Sequence, residues 1–354
     1  MKKLYTTSKY KRRNTRRSLN AIRSRRKRKN INVNRTSTPA NNTNKDNYQS
    51  SGGYNSNPFV KPPIIPIKAP TNFSLIYNTD ATIEYFNRAH KELSKKNSVL
   101  FDISEVTSLT TDAIAVQIAK IKDHKFHLDS GVFGNEPNDV SLKSLFRQSG
   151  FYEYVNTRSP KPANDKKLLI HEITNNRVEP DIAKEACLLG LRHTFKNEEI
   201  FEPLYDILIE VMQNTNNHAG LTRGKYDWWL HVYNHPDSSR TSYTFIDLGV
   251  GIFESLPVKS FVRDFFEILS LKSNIDLVPK LFAGEIKSRT ARPERGKGIP
   301  QIFECSQDNT FDKFVLISND IYADLKTKDY KLIKTQFEGT LFYWEIINHN
   351  ENGN

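Results

Sequence analysis

The most restrictive stretch of the chain is residues 201–219, where Leu204, Ile207, Leu208, Val211 and Met212 recur at the spacing of one helix face. Glu210 and Asn214 are four residues apart on that helix, so they point the same way, and His218 lies one turn further along the line. A carboxylate that polarises water and an amide that holds a metal ion need a rigid scaffold and a common face, and this helix supplies both. Alone, Glu-x-x-x-Asn reads as the polar stripe of a surface helix. The downstream segments narrow the choice. Tyr226–Asn234 and Ser242–Ile246 alternate aromatic or branched residues with polar ones, and Pro236-Asp-Ser-Ser239 between them reads as a turn. The second strand runs into Asp247-Leu-Gly249-Val-Gly251, where glycines let the backbone approach a flat ligand and adopt positive φ.

Two further segments complete a pocket. Gly296-Lys297-Gly298-Ile-Pro300 leads into a helix whose first N–H groups suit phosphate, and Arg289, Arg292, Arg295 and Lys297 crowd the approach. Between Ile252 and Glu294 the pattern reads as an amphipathic helix, about 258–271, and a mobile lid through 284–290. Phe337-Glu-Gly-Thr340-Leu-Phe-Tyr-Trp-Glu-Ile-Ile347 is a strand entered through a glycine, and Phe314–Ile317 and Tyr322–Leu325 read as neighbouring strands. There is no G-x-x-x-x-G-K-[ST] run and no G-x-G-x-x-G after a strand, which excludes a P-loop and leaves a Rossmann or kinase glycine loop unsupported.

In this order the four segments resemble the N, G1, G2 and G3 boxes of the GHKL ATPase superfamily, which includes gyrase B, heat-shock chaperone ATPases, histidine kinases, MutL and the SpoIIAB-type anti-sigma kinases. The resemblance covers about 200–347. It implies ATP and Mg2+ as cofactors, Glu210 as general base and Asn214 as Mg2+ ligand, with His218 where many relatives also carry a histidine. It makes Asp247 the reader of the adenine amine beside Gly249 and Gly251. Arg295, Gly296, Lys297 and Gly298 become the phosphate loop, and Thr340 faces the adenine end. The implied fold is a Bergerat-type α/β sandwich, a mixed sheet with helices on one face.

Upstream, Ile83–Leu93 reads as a helix, Ser98–Ile103 as an apolar strand and Ala113–Ile121 as a second helix behind the capping types Thr110, Thr111 and Asp112; Ser141–Val155 reads as a closing helix and exit. Val99-Leu-Phe-Asp-Ile-Ser-Glu-Val106 with the helix start at Ala113 resembles the STAS anti-sigma-antagonist fold over about 73–155. By that resemblance Thr111 matches the antagonists' phosphorylation site, although the usual Asp-Ser-x-Gly has become Thr-Thr-Asp-Ala. The alternative reading of Thr111 is simple capping. His171-Glu-Ile-Thr-Asn-Asn-Arg177 is similar to a phosphoacceptor box, but too few positions separate it from Asn214 for a dimerising helical hairpin, and Lys167–Ile170 reads as a strand.

The charge is segregated. Residues 1–35 hold 15 Lys or Arg and no acid, so of 52 basic and 40 acidic residues the remainder carries 37 against 40, a net of −3. The expected map is a disordered basic arm at 1–57, a Pro-rich linker at 58–70, a STAS-like α/β domain at 71–160 and the ATPase domain at 161–350. The arm suits nonspecific contact with nucleic acid, a nuclear or organellar address, or a solvated tail. No apolar run approaches the ~20 residues of a membrane span, which points to the cytoplasm and no membrane partner. Cys187 and Cys305 have no partners at ligand spacing and read as core thiols. Three functions stay open: a conformational ATPase that switches a homodimer or protein partner, a SpoIIAB-like serine/threonine kinase acting on a STAS domain, and a noncatalytic ATP sensor on nucleic acid.

Overall fold

Strand and helix alternate along the first part of the body. The structure, a computed structural model, describes residues 63–122, 131–155, 169–170, 173–175, 178–218, 227–256, 273–286 and 297–349. The chain divides into two units, 1–62 and 63–354, and every described residue belongs to the second. The basic arm therefore lies outside the described residues, as do the amphipathic piece at 258–271, most of the 284–290 segment, Arg289, Arg292 and His171. The upstream elements are β1 (Ile64–Lys68), β2 (Asn72–Phe73), α1 (Thr79–Ser94), β3 (Ser98–Asp102), β4 (Ser108–Leu109), α2 (Thr111–Lys122), β5 (Val132–Gly134) and α3 (Val140–Gln148). They form a parallel sheet of order β1-β3-β5 and a parallel pair β2-β4. β1 falls inside the Pro-rich stretch read as linker. It is an edge strand with Pro66 exposed, one of the few places where proline does no harm to a ladder.

Downstream come β6 (Leu169–Ile170), β7 (Ile173–Asn175), α4 (Pro180–Phe195), α5 (Glu202–His218), β8 (Asp227–Asn234), β9 (Arg240–Asp247), α6 (Ile252–Ser255), α7 (Leu277–Ala283), α8 (Gly298–Ser306), β10 (Phe311–Asp324) and β11 (Asp329–Ile347). The six-stranded sheet runs β10-β11-β9-β8-β6, with β7 also on β8. The mixed sheet expected from the resemblance is not what forms. Every described pair in this sheet is antiparallel, because two short hairpins, β8–β9 and β10–β11, join its strands directly.

Alternation along the strands sends two sets of side chains to opposite faces. Trp228, Leu230, Tyr243, Phe245, Phe314, Leu316, Phe342 and Trp344 join the core formed with α4, α5, α7 and α8. Trp229, Ile246, Val315, Ile317, Leu341 and Tyr343 join a second core whose other members come from α1, α2 and the small sheets. The helices of 161–350 thus pack on one face, and the opposite face is covered by the upstream elements. α2 is the reason: its residues 111–121 are all buried, and a helix buried all round must sit between two layers. Thr111 Oγ lies 3.4 Å from Ser242 Oγ of β9, and the Tyr322 hydroxyl donates to Ile76 O at 3.2 Å.

The two strands read at 314–317 and 322–325 are one strand. Pairing between β10 and β11 shifts between Ser318 and Asn319 and again before Ile321, and Asn319 takes φ 55. Across the break the inward face changes parity: Phe314 and Leu316 face the same core as Ile321 and Ala323. A one-residue phase slip of that kind is what a bulge produces, and it hides the continuity of a strand from its sequence pattern.

Candidate functional site

Four elements converge at one end of the large sheet. α5 presents Glu210 and Asn214 toward the first residue of α8. A methyl group built on Gly298 would stand 2.7 Å from Asn214 Oδ1 and 3.1 Å from Glu210 Oε2. The helix of the first motif thus meets the glycine loop of the third so closely that a side chain at 298 would displace the Asn214 amide. Glu210 is buried, and Asn214 Nδ2 is a buried donor with no hydrogen-bond partner among the described residues. Lys297, just before α8, is exposed.

Asp247 ends β9 beside the same helix. Its carboxylate accepts from Gly249 N at 3.0 Å and from Thr215 Oγ1 at 3.4 Å, and Thr340 is its register partner on β11. Burial pushes its pKa up to about 6, against the opposing pull of the hydrogen bonds from Gly249, Thr215 and Thr340. A further donor brought by a ligand would favour the ionised form of this carboxyl against its burial. Gly339 is obligatory for this arrangement. It has φ 94, and a Cβ there would lie 2.0 Å from Asp247 O and 2.7 Å from Leu248 Cα, both backbone atoms that cannot move aside. Gly251, at φ 84, precedes α6.

Of the residues expected from sequence, the structure brings Glu210, Asn214 and Gly298 together at one place, and Asp247, Gly249 and Thr340 at another, where Asp247 touches the same helix at Thr215. The two groups meet through consecutive residues Asn214 and Thr215 of α5. His218 is the last residue of α5, and its side chain lies outside the described residues, as do Arg295 and Gly296. Thr111 is not part of the site. It starts α2, is 5% exposed, and packs on Ser242 at 3.4 Å. Sequence reading missed Thr215, Ser318 and Asn319. The available signal was local: a hydroxyl next to Asn214, and a Ser-Asn-Asp break between Val315-Leu-Ile317 and Ile321.

Among the described residues no group of three or more His, Cys, Asp or Glu side chains could hold a metal ion. Asn214 Oδ1 is a neutral oxygen of the kind such an ion accepts. Cys187 and Cys305 are free and buried; burial raises the Cys187 thiol to about 11 and moves Cys305 higher still. No helix among the described residues is long and apolar enough to cross a membrane. No protein-family model matches the chain, and no curated protein matches it significantly.

Proposed function

We propose that the chain binds Mg-ATP in this site and hydrolyses it, using ATP as a conformational switch in the manner of the GHKL ATPases that its motifs resemble. One observation carries the reading most: Glu210 and Asn214 lie against Gly298, and the buried Asp247 sits between Thr215 of the same helix and Thr340 of β11. Nothing in a generic surface helix requires a carboxylate and an amide to close on the glycine that starts another helix, as Glu210 and Asn214 do on Gly298. In this reading Asp247 accepts a hydrogen bond from the exocyclic amine of the base. Asn214 Oδ1 holds the metal, and the N–H groups at the start of α8 face phosphate. Mg-ATP supplies the transferable phosphoryl group and the charge that offsets its developing negative charge. Glu210 Oε2 takes the proton of the attacking hydroxyl and orients its oxygen; with water as that hydroxyl, the products are ADP and phosphate.

A kinase reading uses the same Glu210 on a protein hydroxyl. Thr111 is a poor acceptor in this structure, since its hydroxyl is buried against β9. That favours hydrolysis, or a hydroxyl on another protein, over transfer to Thr111. The test tracks the label of γ-labelled Mg-ATP given to the purified chain. Free phosphate from the wild type, none from Glu210→Ala and no binding by Asn214→Ala are the expected results. Label retained on protein would make the chain a kinase, and normal turnover by Glu210→Ala would remove Glu210 from the mechanism. A cytoplasmic site of action, a homodimer or protein partner for the switch, and nucleic acid contact through residues 1–35 belong to the same proposal.

A further inference from the structure

Ser318 and Asn319, which belong to none of the four motifs, sit at the break in β10 and reach across to the loop that follows Asp247. Asn319 Oδ1 accepts from Phe253 N at 3.0 Å and Glu254 N at 3.3 Å, and its Nδ2 donates to Val250 O at 2.9 Å. Ser318 Oγ accepts from Ile252 N at 2.8 Å and donates to Gly339 O at 2.9 Å. It also lies 3.4 Å from Thr340 Oγ1. Two adjacent side chains therefore tie every residue from 250 to 254 except Gly251 to one strand, and the same serine ties that strand to the glycine preceding Thr340. Gly251 is accounted for as well. A Cβ there would meet the Asn319 amide at 2.4–2.7 Å, so the space a side chain would fill holds the asparagine.

The backbone is shaped to this end. Asn319 takes φ 55, a left-handed conformation that asparagine tolerates better than most residues. Ser318 pairs with Thr340 and Asn319 with Phe337, so the register skips Glu338 and Gly339 of β11 at this step. Asn319 stays in register with Phe337 of β11, and at this irregularity its side-chain amide meets the loop after Asp247, a common use of bulges near functional sites. The first N–H groups of α6, those of Ile252, Phe253 and Glu254, find their acceptors on these two side chains.

We propose that Asn319, with Ser318, is a positioning residue for the base-binding half of the site: it holds the 249–254 loop in its ligand-accepting shape before any nucleotide arrives. This rests on the nucleotide reading of Asp247. The latch acts on the loop and on Gly339 and does not touch Glu210, so its loss weakens binding of the base and leaves the chemical step alone. ATP and ADP then lose affinity by the same factor, because both present the same base to the same loop.

Full-length protein with Asn319→Gly, which keeps the left-handed backbone and removes the amide, and with Asn319→Asp, which keeps the acceptor but loses the donor to Val250, tests this. Amide exchange of the ligand-free protein reads the latch, and calorimetric titration with Mg-ADP and Mg-ATP reads the site. Expected are slow exchange at 252–254 in the wild type, fast exchange in Asn319→Gly, and roughly tenfold weaker binding of both nucleotides. Asn319→Asp should fall between the two, with kcat at saturating Mg-ATP unchanged in both variants and KM raised. Wild-type affinity in Asn319→Gly, or a lowered melting temperature with no change in affinity, overturns the positioning role. So does a loss of kcat at unchanged KM. A wild type with slow exchange at 252–254 that binds neither nucleotide overturns the nucleotide reading and the positioning role with it. The exchange data separate that failure from a failure of the latch.

Discussion

Asp247 shows how one side chain can carry both stability and ligand affinity. Its carboxyl is buried and raised to about 6, so the folded protein keeps the proton over a range in which the unfolded chain, near 3.8, has released it. The group therefore destabilises the fold progressively as pH rises from about 4 to about 6, and no further above that. A base amine donating to the carboxylate favours the ionised form, so the dependence of binding runs the other way. Affinity for ATP should be constant above about pH 7 and fall about tenfold per pH unit below about 6, as the site must first lose its proton. Titration calorimetry at pH 5, 6 and 7 checks it, and Asp247→Asn should bind weakly with no such slope. An affinity independent of pH between 5 and 7 would show that Asp247 does not read the base. Asp247, Glu210 and Asn214 were all legible in the sequence, because each sits in a short motif whose spacing is fixed by one helix or one turn. Gly339 was legible only as a glycine. That it admits no Cβ depends on the backbone of Asp247, which is distant in sequence and reaches it through the β9–β11 ladder.

At the level of elements, the sequence showed where helices and strands begin and much less of how they meet. The helix through 202–218 and the β8–β9 hairpin fall where their periodicity puts them. β10 did not, because its phase slips at Asn319, and β11 starts at Asp329, well ahead of the strand read from Phe337. Contacts between elements obey similar local details. α4 approaches the sheet at Gly190, where a Cβ would lie 1.8 Å from the Tyr243 hydroxyl oxygen and 2.9 Å from its Cζ. That hydroxyl donates to Ala186 O at 3.1 Å, and the ring stacks on Trp344 at 5.2 Å, so it has little freedom to withdraw. Gly190→Ala gains up to ~1 kcal/mol of helix propensity and loses more to overpacking, typically ~1–3 kcal/mol, for a net loss of stability. Tyr243→Phe removes the atom most in the way. In urea unfolding the double variant should therefore be less destabilised than the sum of the singles by at least ~0.5 kcal/mol. Strict additivity would mean that α4 shifts bodily and that the tyrosine does not set its approach.

For the whole molecule, the upstream part is more than an appendage to the nucleotide site. α2 lies between the small parallel sheet and the large antiparallel one, and Trp229, Ile246, Val315, Ile317, Leu341 and Tyr343 face it from the large sheet. The contact continues toward the site: Asp80 of α1 accepts from Lys334 N at 2.7 Å, and Lys120 of α2 pairs at 3.9 Å with Glu338, next to Gly339. None of this was readable from the motifs. An apolar strand face announces that it will be covered but not by what, and two segments that each resemble a known domain suggest two independent cores. Exposing six large apolar side chains costs on the order of 10 kcal/mol, at ~1.5–3 kcal/mol each. A domain's whole stability is ~5–15 kcal/mol. A fragment of residues 161–354 should consequently fail to fold by itself, giving aggregates in size-exclusion chromatography or lacking near-ultraviolet dichroism from Trp229 and Tyr343. Adding residues 63–160 as a separate chain should restore a soluble complex, whereas removal of residues 1–57 alone should leave melting temperature and ATP affinity as they are. A monomeric, cooperatively folded 161–354 fragment with full ATP affinity would show that the large sheet tolerates an open face, and that the contacts of α1 and α2 with β11 contribute nothing to holding Gly339 and Thr340 in place.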